Sequence, residues 1–270
     1  MKIGLFTNVR DEKHIREWVV HHLLLGIHKI IIFDHKSKIP IKGNLEKISK
    51  RITVINASNI NDNVKIRLMN VATIIAKQHK FDWMIYLDAD EFIILNKPYN
   101  NISQLLTMYE PRAHSLAINW VMFGSNFLKK DPDGLILENY ARCNEILNAH
   151  VKSFVKPKEV IRATNPHYYN IKNKNRYFTL QNTILRNQYH FNTRNLHYAT
   201  VPAYIAHYVN QSEESYIKRK SLPRDDTGGQ RNLITFNELH KEYNNSINNY
   251  PNERYSANIK KVLLKFNAGY

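Results

Sequence analysis

In WMIYLDADEFIIL (residues 83–95), three carboxylates, Asp88, Asp90 and Glu91, fall within four positions between two apolar runs. Burying a carboxylate costs several kcal/mol unless it is paired, hydrogen-bonded or bound to a metal, so these acids need a partner. Hard divalent cations such as Mg2+ and Mn2+ take oxygen ligands, and Mg2+ is held by one or two carboxylates plus substrate phosphates. An Asp-x-Asp pair leaving a strand sends Asp88 and Asp90 into one crevice while Ala89 turns away. A cation held there bridges two phosphates and acts as a Lewis acid for a departing diphosphate. The plainer reading is that the acids cap a helix or pair with surface lysines, because a D-x-D recurs by chance in long chains. Glu91 reads as orienting the loop or a basic neighbour.

Other residues have two readings each. His207, closing YIAHYVN, is a candidate third metal ligand or a hydrogen-bonded structural histidine. Lys218, Arg219 and Lys220 either neutralise a diphosphate or form the solvated face of a helix. Asp34 accepts hydrogen bonds from a ribose or base, or builds a turn. Trp120 and the Phe123-Gly124 turn suggest a sugar-stacking wall on the acceptor side, against core packing as the commoner fate of such aromatics. Asp133, Glu138, Asp225 and Asp226 are acids near predicted cleft loops. Asp226 is the tentative general base among them, since LPRDDTGG (222–229) has glycines for a loop that closes over a ligand. Walker A, G-x-G-x-x-G, zinc-spaced Cys/His and G-x-S-x-G patterns do not occur.

The elements that must position these residues alternate. Apolar strand signals at 2–9, 29–34, 52–56 and 83–87 are separated by helical spacing at 14–25 and 64–80, with a short helix at 44–51. Strands alternating with helices predict an α/β fold with a mostly parallel sheet flanked by helices, ligands binding beyond the strands' carboxyl ends. The polar clusters at 8–12, 34–37 and 88–91 then share one edge. Further strands are expected at 115–126, 150–157 and 201–210, and a helix at 213–220 with Ser212 as its N-cap.

The 270 residues suffice for one large domain, and 39 Lys and Arg against 23 Asp and Glu give a net charge of +16. That surplus favours anionic partners, with solubility as the bland alternative. No apolar span of 18 residues and no signal-like N-terminus occurs, and Cys143 is the single cysteine. The expected location is the cytoplasm or the cytoplasmic face of a membrane, with peripheral contact through the basic surface. The rival classes are a basic nucleic-acid-binding protein, which leaves the acids unexplained, and a metal-dependent nucleotidyl- or phosphotransferase.

The order of motifs resembles the metal-dependent GT-A fold glycosyltransferases of the family 2-like and family 92-like group. The matching pieces are IREWVVHHLLLGIHKIIIFDHKS (15–37), WMIYLDADEF (83–92), WVMFGS (120–125), PDGLILE (132–138), KSFVKP (152–157) and HYVNQSEESYIKRK (207–220). The resemblance implies one GT-A-like catalytic domain over 1–230, with a nucleotide-binding half (1–97) and an acceptor-side half (98–230), then a helical extension (231–270). It implies a nucleotide-sugar donor, UDP-sugar favoured and GDP-sugar possible, with Mn2+ or Mg2+, and a glycan, lipid-linked sugar or protein hydroxyl as acceptor. No nucleic-acid partner is implied. Asp88, Asp90 and His207 would hold the metal, Asp34 the ribose or base, Lys218 and Lys220 the diphosphate, and Arg10 and Glu12 would lie against the nucleotide. Gln211 departs from the pattern, where a Lys before the Ser is expected.

Overall fold

The computed structural model describes residues 1–185, 195–221 and 241–266. Its first half alternates as the apolar periodicity predicts: β1 (Ile3–Val9), α1 (Ile15–Leu24), β2 (Lys29–Asp34), α2 (Lys42–Glu46), β3 (Ile52–Asn56), α3 (Val64–Gln78) and β4 (Trp83–Tyr86). Every residue of β1 and β4 is buried, as a continuous apolar run in a two-faced sheet requires. Then follow β5 (Glu91–Leu95), α4 (Ile102–Tyr109), β6 (Ser115–Met122), α5 (Ile136–Asn139), β7 (Arg142–Cys143), β8 (Val151–Val155), β9 (Val160–Asn165), β10 (Tyr168–Ile171), β11 (Tyr177–Thr179), β12 (Ala203–His207), α6 (Glu213–Lys220), β13 (Ser246–Ile247) and α7 (Ala257–Leu264).

The main sheet runs β3-β2-β1-β4-β8-β6-β12-β5, with β11 beside β6. Strands β1 to β4 are mutually parallel, β8 is antiparallel to β4 and β6, β12 is parallel to β6, and β5 is antiparallel to β12. The sheet is therefore mixed and mostly parallel. β4 and β5 are separated by four residues in sequence but by four places in the sheet, about 19 Å if it were flat. Yet Glu91 N donates to Asp88 O at 3.1 Å, so the link is a tight turn. The sheet must curl to meet both demands, and it curls around the Asp88–Glu91 turn.

Helices and a hairpin cover the two faces. One core joins α1, α4, β5, β12 and α7; the other joins α3 to the β9–β10 hairpin. Gly4 lets the Phe81 ring lie against β1, since a Cβ there would come within 2.4 Å of it. Residues 241–266 pack into the first core through Tyr243, Tyr255, Ile259 and Leu263, and β13 pairs with β7. No helix among the described residues is long and apolar enough to cross a membrane.

Candidate active site

The Asp88–Glu91 turn is held from behind by α1. Trp18 Nε1 donates to Glu91 O at 2.8 Å, and His21 Nε2 donates to Ile93 O at 2.8 Å. His22 Nδ1 donates to Trp18 O at 2.8 Å, while its Nε2 accepts from Ile93 N at 3.4 Å. Burial drives the His21 imidazole down to about 4 and His22 well below its usual value, so both stay neutral. Glu17, in the same E-W-x-x-H run, is fully buried and accepts from Ile136 N (2.6 Å) and Leu137 N (3.1 Å). The motif thus staples β5 and ties the start of α5 to α1.

Each acid of the turn has a basic partner. Asp88 Oδ1 meets Lys65 Nζ at 2.6 Å and its Oδ2 meets Lys152 Nζ at 3.4 Å. Burial would raise the Asp88 carboxyl, but Lys152 and Lys65 outweigh it and hold it far below the carboxylate range. Asp90 Oδ2 meets Arg219 Nη1 at 3.0 Å, and its Oδ1 lies 3.6 Å from His207 Nε2. Arg219 is anchored in turn on Val209 O (2.5 Å) and Asn210 O (3.1 Å), just beyond β12. Glu91 is fully buried; its Oε2 accepts from Asp88 N at 2.9 Å and its Oε1 lies 3.5 Å from Lys152 Nζ. Burial pushes the Glu91 carboxyl up to about 8, against the pull of Lys152. His207 is pressed down to about 4, chiefly by burial, which keeps a neutral imidazole next to Asp90.

The remaining predicted residues divide. Glu12, half-buried at the end of β1, is raised by burial and by the nearby Asp90, which brings the first-strand turn to the motif; Arg10 stands half-buried in that turn. Asp34 ends β2, where its oxygens accept from Ser37 N (3.3 Å) and Ile41 N (3.4 Å). Lys218 is exposed, and of the three basic residues considered in α6 it is Arg219 that reaches Asp90. The side chain of Lys220 and the whole of Asp225 and Asp226 lie outside the described residues. Asp133 is exposed, and Glu138 pairs with Lys260 at 2.6 Å; among the described residues neither is bonded to Asp88, Asp90 or His207. Trp120 is 8% exposed, stacked on His150 (5.2 Å between centroids) and packed against His167 (4.9 Å) and His207 (4.3 Å). Gly124 lies so close to Tyr243 O that a Cβ would come within 2.4 Å, which accounts for the glycine there.

Lys65, Lys152 and Glu17 were not legible as site residues. Lys65 begins α3 like any solvated helix residue, and Lys152 alternates into a strand where a lysine usually faces water. The EW motif was visible as a motif, but its partners lie 72 residues and more away.

Chemically, the edge offers two carboxylates, a neutral imidazole and three cations around one turn. Two aspartates and an imidazole suit Mn2+, and Asp90 with His207 already converges. Among the described residues no three His, Cys, Asp or Glu form a ready cage, because each oxygen of Asp88 and Asp90 faces a basic group. A cation would enter by exchange with Lys65 and Arg219.

Residues 4–263 match the profile of glycosyltransferase family 92, nearly the whole chain. Among curated proteins none matches. Similar solved structures include S. aureus TarS, at 15% identity and a TM-score of 0.37, covering 58% of this chain and 28% of that one. A 4-diphosphocytidyl-2C-methyl-D-erythritol synthase matches at 11% identity and 0.37, covering 59% and 77%. A cytidylyltransferase from Leptospira borgpetersenii serovar Hardjo-bovis matches at 14% and 0.31, covering 58% and 61%. The chain thus spans under a third of TarS and under two thirds of the cytidylyltransferase. By its sequence match, the chain belongs to glycosyltransferase family 92.

Proposed function

We propose that this member of glycosyltransferase family 92 moves a sugar from a nucleotide-sugar donor, a UDP-sugar by preference and a GDP-sugar as the alternative, to an acceptor hydroxyl on a glycan, lipid-linked sugar or protein. The observation that carries the reading is the Asp88–Asp90 turn at the sheet's carboxyl edge, ringed by Lys65, Lys152 and Arg219. Asp88, Asp90 and His207 would hold Mn2+ or Mg2+, which supplies charge neutralisation for the leaving diphosphate. The chain's own residues do the rest. Lys65 and Arg219, released from the aspartates, turn to the diphosphate oxygens, where a cation is worth most in a site with little water. Lys152, 1% exposed, stays behind the turn and keeps Glu91 and Asp88 compensated. Asp34 and the turn of Arg10 and Glu12 receive the nucleoside. If the reaction inverts, Asp226 in the glycine-containing run LPRDDTGG would serve as its base.

Mass action supplies the test. Mn2+ with a nucleoside diphosphate should raise the thermal midpoint of the wild type and leave that of Asp90→Asn unmoved. Equal shifts in both proteins would refute the assignment of the metal to this turn.

A further inference from the structure

His167 lies outside every role assigned so far. It occupies the turn between β9 and β10, and that turn is fixed from several sides. Its backbone N donates to Asn165 Oδ1 at 2.9 Å, and its ring Nδ1 faces Val151 O at 3.2 Å. A carbonyl only accepts, so Nδ1 carries the proton and Nε2 presents a lone pair. No hydrogen bond joins Nε2 to a described residue, and it is not sealed away as a buried orphan. The ring packs at 4.9 Å against Trp120 and at 5.2 Å against His150, covering the indole. Burial first, then Lys152 and His150, drive the imidazole down to about 3, with Asp88 and Lys65 also within its electrostatic reach. His167 is therefore neutral, fixed in one tautomer, and packed on the same Trp120 ring that carries His207 at 4.3 Å.

A base that weak does not take a proton from a sugar hydroxyl. A fixed acceptor does bind one. We propose that His167 Nε2 accepts a hydrogen bond from a hydroxyl of the donor's sugar ring, and that His167 is thereby a specificity-determining residue; this rests on the nucleotide-sugar reading above. In place of an open tryptophan wall, Trp120 has His150 stacked on its face and His167 set edge-on against it. A polar ring there has a use: a site with a built acceptor rejects a sugar that lacks the matching hydroxyl more strongly than an apolar pocket rejects a missing methylene, because the acceptor is left unpaired.

The test is calorimetric titration, with Mn2+, of UDP, GDP and their hexose derivatives into wild type, His167→Phe and His167→Gln. Phe keeps the ring against Trp120 and loses the lone pair; Gln keeps an acceptor. The expected result is a loss of about tenfold to a hundredfold in affinity for the preferred nucleotide sugar in His167→Phe, with the free nucleoside diphosphate bound as in wild type and partial recovery in His167→Gln. Deoxy-sugar donors bound to wild type should reproduce the loss at one ring position, and where the Phe variant fails to fold His167→Leu takes its place in the same titrations. An unchanged ratio of nucleotide-sugar to nucleoside-diphosphate affinity in a folded variant overturns the proposal, as does an equal loss for both ligands or a loss confined to the acceptor. A wild type that binds no nucleoside diphosphate overturns the nucleotide-sugar reading itself, and the proposal with it.

Discussion

The sheet's two halves meet at Asp88 and are built on different rules. From β3 to β4 every strand is parallel and each neighbour is reached through a crossover; from β8 to β5 antiparallel and parallel pairs are mixed and neighbours are far apart in sequence. At the ends of β1 and β2 the acids bond within the first half: Asp34 closes its own turn, and Asp11 Oδ1 accepts from Lys38 N at 2.8 Å. The second half supplies groups that meet acids across the fold: Lys152 from β8, His207 from β12 and Arg219 from α6. Regular crossovers set out a binding edge, and the irregular half arms it.

If that division is right, Asp90→Asn, which strips the charge the second half was built to meet, should lower kcat by at least about a hundredfold, measured as donor turnover. Lys152→Met should cost about 1–3 kcal/mol in denaturant unfolding, because the Asp88 carboxylate loses the more buried of its two cations. A cost near zero would mean that the core tolerates the acids without the second half, and the division would fail. Glu17→Leu leaves the Ile136 and Leu137 N–H groups without their acceptor, at about 1–3 kcal/mol for each that stays buried.

A pH titration sharpens the comparison further. His21 and His207 at about 4, His167 at about 3 and His22 well below its usual value are neutral when folded, whereas in the unfolded chain each takes a proton near 6.5. The stability these histidines contribute is therefore fully present above about pH 6.5 and is lost as pH falls from there toward 3, while Glu91, raised by burial to about 8, works with the opposite sign and costs stability as pH rises toward 8. The thermal midpoint should drop across the histidine window, and His21→Leu, if folded, should flatten the drop. The smallest effect belongs to the first half: Asp34→Asn should raise the KM for donor less than about tenfold, leave kcat unchanged and shift stability by under about 1 kcal/mol.

How much was legible follows the same line. The β-branched run KIIIF and the helical spacing of Val64, Leu68, Val71 and Ile75 read directly as strand and helix, because a buried parallel strand and an amphipathic helix are local patterns. The buried face nevertheless runs through Ala72 and Ala76 and leaves Val71 exposed. The motif order was enough to point to family 92. The placement of β5 four strands from β4 was not legible, since that order depends on pairing with a strand over a hundred residues later. Nor was Arg219 singled out from its neighbours Lys218 and Lys220, because the Ser212 cap marks where α6 starts but the arginine's partner Asp90 lies 129 residues away. Lys65 and Lys152 carried no local signal: a lysine becomes a site residue only when the fold brings an acid to it.

The most direct measurement follows product release from a panel of nucleotide sugars with Mn2+ and a hydroxyl acceptor, in wild type and Asp90→Asn. The account predicts that wild type releases a free nucleoside diphosphate from one donor and that Asp90→Asn, folded and of similar stability, releases almost none. Release of pyrophosphate, or equal rates in the two proteins, would contradict it.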